Sequence, residues 1–90
     1  MNALELSKLL RAEGVAVISE NIDVEGMDRD SAQKLRELVD TLVPSEEYMG
    51  YVVVDGRHVV FKRAKGTLVV AVVEENRLRW CLNRMRELQW

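Results

Sequence analysis

The 23 residues from 51 to 73, YVVVDGRHVVFKRAKGTLVVAVV, leave this chain few folds to choose from. They read as an antiparallel meander with strands over 51–54, 57–63 and 67–73. Asp55-Gly56 is a favoured pair for a two-residue type I′ turn, whose central residues both need positive φ. Ala64-Lys65-Gly66 makes the second turn, with Gly66 in the left-handed position. Valine dominates the stretch, and its branched Cβ favours strand over helix. The first and third strands do not alternate. Val52, Val53 and Val54 run on without a polar break, and so do residues 68–73. A continuous apolar run implies that both faces of the sheet are covered. Helices are therefore expected on both sides, or a partner chain on one.

The rest of the chain supplies those helices. Residues 2–12 form a short one, with Asn2 as N-cap, Ala3, Leu6, Leu9 and Leu10 on one arc, and Gly14 at its end. Residues 15–19, VAVIS, are a strand. Ile22–Glu25 alternates and makes a second, turning at Glu20-Asn21. Residues 29–43 carry the strongest helical pattern. Asp28 is the N-cap and Ala32, Leu35, Leu38, Val39 and Leu42 form the apolar stripe, while Pro44 stops the helix. Residues 45–50, SEEYMG, are a connecting loop. The last helix spans roughly 76–89, capped by Glu74-Glu75-Asn76, with Leu78, Cys81, Leu82, Met85 and Leu88 buried. Arg84 and Arg86 suit the negative end of its dipole.

Ninety residues make one domain, 1–90, burying roughly 60–70% of the unfolded surface. With 48% apolar and 31% charged residues the chain is of the soluble globular class. One cysteine permits no intrachain disulfide, which fits a reducing compartment. The charged N-terminus is no signal peptide, and no run approaches the roughly 18 apolar residues of a membrane span. A cytoplasmic protein is expected. The net charge of −2 is unevenly spread. Residues 1–50 hold five Lys/Arg against eleven Asp/Glu, and residues 51–90 hold eight against four. Two oppositely charged faces would steer a partner; solvation of each element separately is the plainer account.

Few residues invite chemistry. His58, the single histidine, has no second ligand at metal spacing and reads as a solvated strand residue. Cys81 lies in an apolar stripe, where free cysteine behaves as a small hydrophobe. The carboxylates Glu20, Asp23, Glu25, Asp28 and Asp30 lack the EF-hand spacing and serve for capping and solvation. No Walker loop, nucleophile elbow or dinucleotide fingerprint is present. No cofactor, metal or catalytic residue is therefore assigned, and the reading is that the protein is not an enzyme. Arg57, Lys62 and Arg63, with His58 and Lys65, put a basic cluster on one hairpin. Phe61 is the only aromatic in it, fewer than single-strand binding normally uses. Trp80 lies about 140° from the centre of the last helix's stripe at 100° per residue. Tryptophan in such a place is enriched at interfaces. Trp80, Arg57, Lys62 and Arg63 are the candidate partner-binding residues.

The order of helix, two strands, helix, three strands and helix resembles the roadblock family, the dynein light-chain domain also found in regulators of small GTPases. The resemblance is carried by GVAVISE at residues 14–20, the capped helix before Pro44, and residues 51–73 leading into ENRLRWCLNRMREL. The first hairpin departs from it, reading SENIDVEG where a glycine-containing turn is usual. The resemblance implies an α+β fold of roadblock and profilin-like shape, with a five-stranded antiparallel sheet in order 2-1-5-4-3. The second helix would cover one face and the terminal helices the other. It also implies a homodimer joined through the third strand and the second helix, here Tyr51, Val52, Val53 and Val54 with Gln33, Arg36 and Asp40. The implied function is a non-enzymatic scaffold that binds or regulates a small Ras-like GTPase or a motor complex. The alternative is a nucleic-acid-binding module using residues 57–65. In the order that the resemblance implies, residues 51–54 would form an edge strand, and their lack of Lys or Pro to blunt it is a separate reason to expect it paired.

Overall fold

The computed structural model describes residues 1–43 and 45–90; Pro44, expected to stop the second helix, lies outside the described residues. Three helices, α1 (Ala3–Leu10), α2 (Arg29–Leu42) and α3 (Leu78–Glu87), accompany five strands. The strands are β1 (Gly14–Ile18), β2 (Ile22–Glu25), β3 (Tyr48–Val54), β4 (Arg57–Ala64) and β5 (Thr67–Val73). All pairings are antiparallel, in the order β2-β1-β5-β4-β3. The fold is thus α+β with the sheet order and helix placement expected.

The apolar strands are buried on both faces. On one side Val15, Val17, Val60, Val69, Ala71 and Val73 pack against Ala3, Leu6 and Leu10 of α1 and Cys81 and Met85 of α3. On the other, Ala16, Ile18, Val59, Phe61, Leu68, Val70 and Val72 pack against Ala32 and Val39 of α2. β5, between β1 and β4, is buried from Leu68 to Val73. Truncating a fully buried leucine such as Leu68 to alanine costs about 2–5 kcal/mol.

The caps follow the sequence at two helix starts. Asn2 Oδ1 accepts from the Glu5 N–H at 2.8 Å, and Asp28 Oδ1 accepts from the Ser31 N–H at 2.6 Å. That backbone bond lowers the Asp28 pKa from its ordinary value. Several boundaries move. α1 ends on Arg11, left-handed at φ 50°, rather than at Gly14. α3 starts at Leu78 after a single 3-10 turn, Glu75–Arg77, with no side-chain cap. β3 begins at Tyr48, so part of the expected loop is strand, because Tyr48, Met49 and Gly50 stay in register with Arg63, Lys62 and Phe61. Phe61 lies over Gly50, where an added Cβ would meet its ring at 3.1 Å.

Candidate functional site

β3 and β2 are the two edges of the sheet. The free side of β3 can be read from its turn. Asp55 and Gly56 both have positive φ, 51° and 76°, as a type I′ turn requires. Val54 and Arg57 flank that turn and are joined by its i to i+3 bond. Hydrogen-bonded and non-hydrogen-bonded pairs then alternate down the ladder. Val52 bonds inward to Val59, whereas Val53, Tyr51 and Met49 turn their N–H and C=O groups outward. Side chains alternate too. Val52 and Val54 lean on the α2 side of the core, while Tyr51 and Val53 point to the α3 side and are 51% and 50% exposed.

α2 leaves this edge partly open because it lies closer to β2 and β5. A groove of about 680 Å³ separates its N-terminal half from the β3–β4 turn, with Leu35, Leu38, Val54 and Val59 among its walls. Leu42, one turn beyond Leu38, is 53% exposed. Leucines thus make up the apolar part of this flank of α2, which also carries Ser31 and Lys34. Gln33, Arg36 and Asp40 lie elsewhere. Asp40 pairs with Arg63 at 2.5 Å and with Arg36 at 3.9 Å, and Arg36 and Asp40 border the β4–β5 turn and Glu46-Glu47. Gln33 donates to Glu37 at 3.5 Å. The structure thus places Val54 beside Leu35 and Leu38, and sets Arg36 and Asp40 against the other end of β4, where Asp40 meets Arg63 near Tyr48. No sequence signal marks Leu38 and Leu42 as open. They belong to an ordinary apolar stripe, and only the position of α2 over the sheet uncovers them.

The basic hairpin does not form one surface, since alternation sends its residues to opposite faces. Arg57 is exposed and lines the groove beside α2. Arg63 is on the same face but committed: its guanidinium binds Asp40 and lies 5.6 Å from the Tyr48 ring centre. Tyr48 meets Phe61 edge-on at 5.6 Å, and burial raises the pKa of its hydroxyl. Lys62 is on the other face. Its ammonium donates to the carbonyls of Met85 at 3.1 Å and of Leu88, and Trp90 lies over it at 5.0 Å. Lys62 therefore closes the C-terminus of α3, whose last turn also carries Arg84 and Arg86 as expected. His58 is half-buried rather than solvated, stacks on Tyr51 at 6.4 Å, and has an enclosed Nδ1 without a partner. Trp80 is 37% exposed, with the guanidiniums of Arg11 and Arg84 at 5.6 and 5.4 Å from its ring centre.

Cys81 is buried, and desolvation pushes its thiol up to about 11. Asp23 accepts from the Ala3 N–H at 2.8 Å, so two of the acidic residues, Asp23 and Asp28, serve helix starts. Among the described residues no group of three or more His, Cys, Asp or Glu is placed to hold a metal ion, and no helix is long and apolar enough to cross a membrane.

No family model matches the sequence, and no solved structure matches it. An uncharacterized protein of Archaeoglobus fulgidus is 43% identical over 88 residues, covering 98% of this chain and 96% of the relative. Similarity of that degree along the whole length makes the two chains members of one family, and this protein belongs to the family of that archaeal protein.

Proposed function

We propose that this protein is a non-enzymatic homodimeric adaptor whose two copies pair through β3 and the apolar flank of α2. The observation that carries this reading is the β3 edge: seven residues long, with Tyr51 and Val53 exposed and no Lys or Pro along it. The outward groups are also self-complementary. A two-fold axis at Tyr51 pairs Tyr51 with its mate and Val53 with the mate's Met49, so every outward N–H and C=O of the three residues finds a partner. Two sheets become one of ten strands, and Leu38 and Leu42 approach their counterparts. The roadblock resemblance supplies the partner class, a small Ras-like GTPase or a motor complex held on the composite surface.

Sedimentation at micromolar concentration tests the pairing. Wild type is expected as a dimer and Val53→Pro as a monomer, because proline removes an outward N–H. Tyr51→Cys is expected to form an interchain disulfide on mild oxidation, since facing Cα atoms in a hydrogen-bonded pair lie about 5.5 Å apart. A wild type that sediments as a 10.3 kDa monomer overturns the reading. Affinity capture on the wild-type dimer, with the Val53→Pro monomer as control, tests the partner class by whether a GTPase or motor subunit is retained.

A further inference from the structure

The layer formed by α1 and α3 carries a second surface, away from the β3 edge. Its centre is Trp80. Arg11, at the end of α1, and Arg84, one turn along α3, each hold a guanidinium over the indole, at 5.6 and 5.4 Å from its centre. Stacking on an aromatic face orients an arginine without occupying its five N–H donors. Those donors are poorly matched within the chain. Among the described residues Arg11 makes no ion pair, and Arg84 reaches Glu87 only at 4.0 Å. The Arg84 Nε is enclosed with no acceptor. Arg79 and Arg86 are exposed on the same helix and extend the positive charge.

The backbone of Arg11 points the same way. It is left-handed at φ 50°, where glycine or asparagine is cheaper. A strained residue whose side chain aims at one particular neighbour is grounds for a functional hypothesis. Glycine at position 11 would terminate α1 with less strain but would leave Trp80 without its first guanidinium.

We propose that Arg11, Trp80 and Arg84 form a docking site for an acidic peptide segment of a protein partner. The two guanidiniums bind carboxylates as charge-assisted pairs, and the exposed part of the indole packs on the segment's aliphatic carbons. A peptide fits better than nucleic acid because the site has one aromatic ring with arginine on it, where bases need several free faces to stack on. The proposal does not depend on pairing through β3 and is expected to hold equally for the wild type and the Val53→Pro variant.

Titration of 15N-labelled protein with a twelve-residue Glu/Asp-rich peptide tests it. The chain has two indole N–H groups, from Trp80 and Trp90. The Trp80 signal is expected to move, while that of Trp90, bonded to the Ala64 carbonyl at 2.7 Å, stays in place. Arg84→Gln is expected to weaken binding at least fivefold and Arg57→Gln, on the other face, to leave it unchanged. Arg11→Gly separates function from folding: it is expected to raise the melting temperature and yet weaken binding at least fivefold. Absence of any Trp80 shift, equal loss in Arg57→Gln, or unimpaired binding by Arg11→Gly overturns the proposal. So does a single-stranded oligonucleotide that shifts the same signal at lower concentration than the peptide, which would make this a nucleic-acid surface.

Discussion

The two edges of the sheet are built on opposite plans. β2 is four residues long, and the residues facing away from the core, Asp23 and Glu25, are acidic and exposed. Asp23 is also tied to the start of α1. A short, charged edge tethered to a helix offers little to another strand. β3 is seven residues long, apolar through Tyr51–Val54 in sequence, and beside it α2 leaves Leu38 and Leu42 short of full burial. One chain therefore carries one protected edge and one unprotected edge. Since the same backbone chemistry runs along both, side chains and length make the difference. An edge left apolar next to an edge so guarded is the chief reason to read β3 as paired in the native assembly.

The largest effect that sharpens this contrast is internal to β3. Val52→Pro removes a bond to Val59 and leaves its carbonyl unpaired, and is expected to cost about 1–3 kcal/mol of unfolding free energy. Val53→Pro, whose N–H faces outward, is expected to cost clearly less in the monomer. Denaturant melts of the two variants check this. Equal losses would mean that the ladder runs in the other phase and that the edge groups are misassigned.

A second test compares the two flanks of α2. Leu42→Glu places a charge on the apolar flank beside β3 and is expected to weaken dimerisation at least tenfold, measured by sedimentation across a concentration series. Gln33→Glu, on the opposite flank, is expected to change it less than twofold. The reverse ranking would put Gln33, Arg36 and Asp40 at the interface.

The smallest effect asks whether pairing reaches the core. Burial raises the Cys81 pKa to about 11 from an ordinary 9.0, so the folded state resists losing the thiol proton. The unfolded chain binds fewer protons between those values, and stability falls as pH rises from about 9 to about 11. Below pH 9 the contribution is fully present. Cys81→Ala is expected to lose this slope. The slope is expected to be the same in wild type and in Val53→Pro, because Cys81 packs with α1 and the central strands, and β3 reaches that cluster at Met49 rather than at Val53. A slope that changes with the edge variant would show that pairing reshapes the α1–α3 layer.

The relation of sequence to structure is clearest at particular residues. The meander was legible because Asp55-Gly56 and Gly66 encode turns in their own backbone preferences, and unbroken valine runs demand cover on both faces. The capping roles of Asn2 and Asp28 were legible because a cap bonds a backbone three residues away. Both depend only on neighbours along the chain. Lys62 is different. It closes a helix that ends at Glu87, 25 residues later, and no local pattern marks that partnership. Nor does any pattern show that Arg11 would take the left-handed position and meet Trp80.

The sequence by itself determined the elements, their order and the apolar faces they must bury, because periodicity and turn chemistry act over a few residues. Where α2 rests on the sheet was decided only in three dimensions. That placement buries Ala32 and Val39, exposes Leu42, and turns Asp40 toward Arg63. A helical stripe states which residues prefer to leave water. How much of the stripe finds cover depends on the width and position of the sheet beneath it.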